Sequence, residues 1–393
     1  MQAQSSLLVP EQTKSASFQK SSVRLKSLDA LRGFDMFWIV SGEGVIHGLA
    51  KATRLPIFLW MSGQLHHSKW NGFSFYDLIF PLFIFIAGVS MPFSFAKRLK
   101  NDSGAHQKRQ KSRLYLSLAK RCLALLLLGM VVNGALAFSG YQNTRFASVL
   151  GRIGLSCFFA ALIFLNTNLK ARILCFVALL LGYWALLSLV PVPGFGPGEL
   201  TIQGNLAGYL DRQYLPGLVL RGDYDPEGLL STIPAIGTAL LGCFTGQFLQ
   251  LPSSKCSNQQ KLVLLLIAGI VLLVLGSLWD AVFPINKNMW TSSFVLYAGG
   301  WSLLLLGVFY GLIDVLKWEC WSKPFIWLGM NAILIYMAAH GVVDFKSTTM
   351  FLFGGIIHLA PIIWQDTLLW SFTVLIQFYL LYWLYTKKIF LKL

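Results

Sequence analysis

Apolar runs of about twenty residues recur along almost the whole chain, each closed by a short polar or basic stretch. An α-helix rises 1.5 Å per residue, so roughly 20 apolar residues are needed to cross a hydrocarbon layer ~30 Å thick. The pattern predicts about ten crossing helices, at 33–51, 75–96, 122–139, 147–166, 173–191, 229–250, 262–280, 292–316, 324–340 and 367–386. The stretch FLFGGIIHLAPIIW (351–364) is shorter and broken by Gly and Pro. It is expected to lie at the interface or as a re-entrant segment, with an eleventh crossing as the alternative. No internal repeat or low-complexity linker divides the chain. The expected fold is therefore all-α and polytopic, with one bundle over residues 24–393 behind a polar cytoplasmic tail at 1–23.

Composition agrees. Charged residues are 12% and hydrophobic residues 55%, with mean hydropathy +0.62; a soluble domain carries roughly 25% charge. No cleavable signal peptide is expected, because residues 1–32 are polar and basic. The net charge of +16 raises nucleic acid as a partner, but its placement points elsewhere. With the N-terminus inside, the inner side collects Lys14, Lys20, Arg24, Lys26, Arg32, the run 97–121, Lys170, Arg172, Lys255, Lys261, Lys317, Lys323, Lys387, Lys388 and Lys392. Cytoplasmic loops carry such an excess, which puts both termini in the cytoplasm and makes anionic lipid, not nucleic acid, the partner of the charge. The six cysteines are scattered without metal or CxxC spacing, so they read as buried hydrophobes, and no metal is expected.

Ionisable groups inside a span cost about 2.5–3.5 kcal/mol at its centre, so they mark candidate chemistry. Glu43, in SGEG, lies eleven residues past Arg32, roughly 16 Å deeper. It is either functional or one half of a structural ion pair, whereas Asp35 is expected to pair with a basic loop residue. On the outer side, HHSKWNG (66–72) sets His66, His67, Trp70 and Asn71 before Asp77 and the second span. Histidine exchanges a proton near neutrality, so His67 is the candidate base. Arg152 in VLGRIGL cannot lose its proton and needs a phosphate, a carboxylate or an internal ion pair. Asp225 and Glu227 in DYDPEGLLSTIP are acids of a turn opening a helix, or ligands for hydroxyls or an ammonium. Asn286, Lys287 and Trp290 in NKNMW combine an amide, an ammonium and an indole at a membrane edge, a set suited to sugar. His340 ends the ninth span on the same side as a ligand-lining group or an interface cap, and Asn331 is either helix-to-helix glue or a cofactor contact.

Six blocks stand in one order: RLKSLDALRGFDM (24–36), HSKWNGFSFYDLIFPLFIFIAGVSMPFS (67–94), VLGRIGL (149–155), DPEGLLSTIPAI (225–236), NKNMWTSSFVL (286–296) and GMNAILIY (329–336). Together they resemble the heparan-α-glucosaminide N-acetyltransferase family of transmembrane acyltransferases, and within it the short bacterial members labelled NagX. The likeness runs from about residue 24 to 386. It implies a multi-pass protein of a bacterial inner membrane that takes acetyl from cytosolic acetyl-CoA to the amine of a glucosamine-type sugar on the other side. The family's catalytic histidine, three residues before Trp-Asn-Gly, falls on His67. An asparagine of the animal enzymes falls on Glu43, where this chain has an acid. The large lumenal extension of the animal enzymes is not expected, which favours a free amino sugar as acceptor.

In that scheme His67 is a general base or an acetyl carrier, with Glu43 or Asp77 orienting its ring. Trp70, Asn71, Asp225, Glu227, Asn286, Lys287, Trp290 and His340 are the expected sugar contacts, and Asn71 or Asn286 the expected donors to the thioester oxygen. Arg152, Asn331, Lys97, Arg98, Lys120 and Arg121 are the expected contacts of acetyl-CoA. A homodimer is the alternative to a single chain. The competing readings are an amino-sugar transporter, an O-acyltransferase of a surface glycan and a structural membrane protein.

Overall fold

The computed structural model describes residues 25–99 and 105–391. The expected tail at 1–23 lies outside the described residues. Among the described residues the chain is helical, with β pairing confined to two isolated bridges, Arg145 to Gly217 and Val192 to Gly196. Helix α1 (Lys26–Phe37) runs through one π-helical turn, Trp38–Gly42, into α2 (Glu43–Thr53). There follow α3 (Pro56–Gln64), α4 (Phe75–Arg98), α5 (Ala105–Val132), α6 (Val149–Asn166), α7 (Leu169–Leu189) and α8 (Leu206–Tyr214). Then come α9 (Thr232–Leu249), α10 (Asn258–Asp280), α11 (Ser292–Phe309), α12 (Lys323–Met330), α13 (Ala332–Met337), α14 (Phe345–Leu359) and α15 (Ile362–Thr386).

Eight of these helices are long and apolar enough to cross a membrane: α4, α5, α6, α7, α9, α10, α11 with its π-helical extension, and α15. The segments 320–330 and 332–342, bent by 68°, make a ninth if they form one broken crossing. The expected ten or eleven is not reached by this measure, for two physical reasons. The first predicted span is a helix, but one that carries Asp35 and Glu43 and is not apolar enough. The stretch 351–364 divides between the 15-residue α14, too short to cross, and the start of α15. A second correction concerns 97–121, expected as an inner loop. From Ala105 onward it is helix, so α5 begins well before the predicted 122 and ends at Val132, not 139. Hydropathy marks where a helix is greasy, not where it starts.

The bundle closes around α4, whose apolar stretch is 78% buried. It packs on α9 through small residues. A Cβ on Gly242 would collide with the Phe85 carbonyl, and one on Gly88 with that of Ala239. In lipid, where helices gain no hydrophobic drive against one another, such close backbone approach supplies the dispersion contact. Gly33 of α1 and Gly329 of α12 interlock the same way. By contrast α7 and α10 turn Leu174, Leu181, Ile267, Ile270 and Leu278 outward, as lipid-facing helices do.

Helix α4 also sets the scale of the site. Twenty residues separate Asp77 from Lys97, roughly 30 Å of helix, so the two lie at opposite ends of the bundle. Lys26 pairs with Glu319 at 2.5 Å, and the Asn331 amide donates to the Ile389 carbonyl at 3.1 Å. The first and last described segments therefore share the Lys97 end.

Candidate active site

At the other end of α4, Ser74 starts the helix in a reciprocal cap with Asp77. The Ser74 backbone N–H and hydroxyl both donate to Asp77 Oδ2, at 3.1 and 3.0 Å, and the Ser68 N–H joins them at 3.1 Å. The remaining oxygen, Oδ1, accepts from His67 Nδ1 at 2.8 Å. The carboxylate can only accept, so Nδ1 carries the proton and Nε2 is left as the working nitrogen. The Asp77 side chain is 1% exposed and that of His67 45%. A buried, fully engaged anion thus holds an accessible imidazole, the arrangement that fixes tautomer and direction in a base.

Two further groups bracket the ring. Tyr76 lies against it with centroids 4.7 Å apart, and Glu43, which follows the π-helical turn Trp38–Gly42, stands near the Tyr76 hydroxyl. Lys287 Nζ stands 3.0 Å from Nε2 and 3.2 Å from Nδ1. Burial holds the Lys287 ammonium below the ordinary lysine range, against the pull of Glu227 and Asp77. His67, Tyr76, Lys287, Glu227, Tyr336 and His340 line one pocket of about 270 Å³, floored by Phe80, Phe83, Ile153 and Ile333. His340 stacks on Tyr336 at 4.6 Å and comes from a second π-helical turn, Ala338–Val342.

Several expected contacts lie elsewhere. Among the described residues Asp77 is the acid hydrogen-bonded to the His67 ring, while Glu43 stands beside Tyr76. Trp290 is not an exposed sugar platform. It is fully buried with φ 53°, donates to Thr238 Oγ1 at 3.1 Å, and packs on Phe80. Asn286 is likewise enclosed. Its amide donates to Asn71 Oδ1 at 3.0 Å while its oxygen accepts the Met289 N–H at 2.9 Å, which braces the loop carrying Lys287. Trp70 donates to the Leu200 carbonyl at 2.9 Å and packs on Tyr224. Asp225 is closed off by Arg145, whose Nε and Nη2 meet its oxygens at 2.9 and 2.6 Å. Arg145 also donates to Glu227, joining that wall of the pocket to the bracket.

Arg152 was expected among the CoA contacts, yet it sits near the His67 end. It donates to Ser231 Oγ and the Gly228 carbonyl and lies 5.0 Å from the Trp290 ring centroid. Asn331 spends its side chain on the backbone of the final segment, donating to Ile389 and accepting from Leu391 N–H at 3.2 Å. Asp35 is 1% exposed, and among the described residues neither carboxyl oxygen has a hydrogen-bond or ion-pair partner, so the expected ion pair is not found there.

At the Lys97 end a second cavity of about 640 Å³ opens among α1, α4, α5, α6 and α12. Lys97, Arg98 and Arg121 line it, with Arg32. Lys120 instead faces a separate groove with Arg113 and Arg121. Arg32 donates to Ser90 at 2.9 Å, and Arg98 to Ser117 at 3.1 Å. Phe83, Ile153 and Ile333 line both cavities and form the wall the two share inside the bundle. Among the described residues no group of three or more His, Cys, Asp or Glu side chains is placed to hold a metal ion.

Sequence reasoning reached His67, Asp77, Glu227, Lys287 and His340, which the fold brings to one place. It missed Tyr76, Tyr336, Arg145 and Arg32. Tyr76 stands beside Asp77 in a quoted block and could have been weighed; Arg145 carried no local signal.

A family profile described as the catalytic region of heparan-alpha-glucosaminide N-acetyltransferase matches residues 24–278. The human heparan-alpha-glucosaminide N-acetyltransferase is 28% identical over 366 residues, covering 80% of this chain and 52% of the human protein. The mouse protein of the same name is 28% identical over 384 residues, covering 83% of this chain and 54% of its own. The chain thus spans about half the length of the curated relatives it matches. It belongs to the heparan-alpha-glucosaminide N-acetyltransferase catalytic family.

Proposed function

We propose that this chain moves an acetyl group from acetyl-CoA, held at the basic cavity, to the amine of a glucosamine-type sugar at the His67 pocket. One observation carries the reading: a basic cavity and the His67 pocket lie back to back, sharing Phe83, Ile153 and Ile333 as a wall, between ends of α4 roughly 30 Å apart. The phosphates of CoA are multiply charged and do not enter hydrocarbon. A basic mouth lets them stay at the surface while an uncharged thioester arm enters the bundle. Lys97, Arg98, Arg121 and Arg32 supply that mouth, which we assign to the cytoplasmic side on the positive-inside rule. Both ends of the described chain then face the cytoplasm, and the protein is a bacterial inner-membrane enzyme.

At the far end a sugar nitrogen attacks only when unprotonated. His67 Nε2 takes that proton, and Asp77 stabilises the imidazolium that forms. The two-step alternative puts the acetyl group on Nε2 first and passes it to the amine second. Glu227 and His340 stand where they can hold the sugar's hydroxyls or ammonium. The test is acetylation of glucosamine by the purified protein. His67→Ala is expected to lose the activity, and near-normal product from that variant would defeat the assignment. Labelled acetyl trapped on His67 in a single turnover supports two steps; product without it supports direct transfer.

A further inference from the structure

The thioester oxygen gains negative charge as its carbonyl is attacked, and such charge needs a donor aimed at it. The sequence offered Asn71 and Asn286. The fold withdraws Asn286, whose amide is enclosed and already donates to Asn71, and Asn71 is not among the walls of the His67 pocket. Arg152 is buried against Trp290. Among the described residues Lys287 is the one Lys or Arg in the pocket wall.

Its position is informative because Asp77 accepts the hydrogen bond of Nδ1–H and so fixes Nε2 as the reacting nitrogen. In direct transfer the sugar nitrogen lies at hydrogen-bond distance from Nε2, with the carbonyl carbon one bond farther. In two-step transfer that carbon bonds to Nε2 itself. Either way the carbonyl oxygen falls within a few bond lengths of Nε2, where Lys287 Nζ already stands 3.0 Å away. A lysine stem is flexible, so the ammonium can leave the ring nitrogen and follow the oxygen. Resting on the acetyltransferase reading, we propose that Lys287 is a catalytic residue, its ammonium stabilising the oxyanion of the transfer while His67 handles the proton.

The sugar nitrogen bonds to the carbonyl carbon, and the C=O π pair moves to oxygen beside Lys287 as the N–H proton passes to His67 Nε2. The carbonyl then re-forms, the C–S bond breaks, and the departing thiolate takes the proton from Nε2. Lys287 ends as it began.

The charged and titratable groups around Lys287 are Asp77 from α4, His67 from the preceding loop, Glu227, Arg221 and Arg152 from the region of the Arg145 bracket, and Tyr76, Tyr336 and His340 in the pocket wall. Burial lowers the ammonium's pKa first, with Arg152 and Arg221 adding to the effect and Glu227 and Asp77 opposing it. Loss of the ammonium as pH rises should therefore cut the rate earlier than an ordinary lysine would, and arginine at this position should remove that decline.

The experiment compares wild type, K287M, K287Q, K287R and H67A as purified full chains. It measures kcat and KM for glucosamine with acetyl-CoA, and Kd for an unreactive thioether analogue of acetyl-CoA. Expected is a fall in kcat of about 10²–10³-fold for K287M and K287Q, with KM and the analogue Kd within about threefold, and partial recovery with a flat alkaline limb for K287R. A kcat within threefold of wild type in K287M or K287Q would overturn the inference, as would a loss confined to KM, which would make Lys287 a sugar contact. An inactive H67A beside an active K287M removes this inference alone. An active H67A, or a wild type that makes no acetylated sugar, removes the reading on which it rests.

Discussion

The two ends of the bundle are built on opposite plans. At the His67 end the groups that support the pocket are fixed in place by hydrogen bonds. Asp77 takes four hydrogen bonds, Arg145 clasps Asp225 and Glu227 together, and Asn286 braces the loop that carries Lys287. At the Lys97 end the cations are many: Arg98 donates to the Ser117 hydroxyl, and Arg32 donates to Ser90 and pairs with Asp29. Chemistry demands fixed geometry to within fractions of an ångström, whereas holding phosphates demands only charge density. Under the proposed function the contrast suits one end to reaction and the other to capture.

Substitutions can break that comparison. The largest effect is expected from H67A, a fall in acetyl transfer of about 10²–10⁴-fold, the range for a lost acid–base group; product formation over time checks it. Next is R145M, which strands Asp225 and Glu227 and should cost about 3–5 kcal/mol of stability, as removal of one partner from a buried pair does. Detergent-solubilised thermal unfolding reads this. Burial pushes the Asp225 carboxyl up, but Arg145 more than offsets it and holds the group below the usual carboxylate range. The bracket's contribution is thus complete above about pH 4 and lost as pH falls through the lower folded value. R145M should therefore unfold at a higher pH on acidification. D77N keeps the shape but can present its amide to Nδ1 and so favour the wrong tautomer, for an expected loss of about 10²-fold in kcat with KM little changed.

The inner end should respond differently. K97A, R98A or R121A alone should raise KM for acetyl-CoA by less than about tenfold and leave kcat alone, because neighbouring cations share the load. The effect should shrink further as salt rises. A single inner substitution that abolished kcat would erase the distinction between the ends.

How much of this was legible in the chain depends on what kind of signal each feature leaves. Apolar runs announced most of the bundle, because lipid imposes its thickness on the sequence. The start of α5 was hidden, since a basic helix beyond the membrane and a basic loop have the same composition. His67 and Asp77 were readable as neighbours ten residues apart across one helix start. The approach of Glu43 to Tyr76 was not, because it brings together two helices whose pairing only the fold decides. Trp290 misled for a physical reason. An indole beside a membrane edge ordinarily sits in the interfacial belt, but a left-handed backbone at φ 53° turns this one inward to Thr238.

Sidedness is the most direct test. Purified protein is sealed into vesicles with one orientation selected, labelled acetyl-CoA is supplied at the Lys97 face, and glucosamine is confined to the His67 face. Labelled N-acetylglucosamine accumulating only on the sugar's side is the expected result. Product appearing solely when both substrates share one side would contradict the two-sided arrangement and the function built on it.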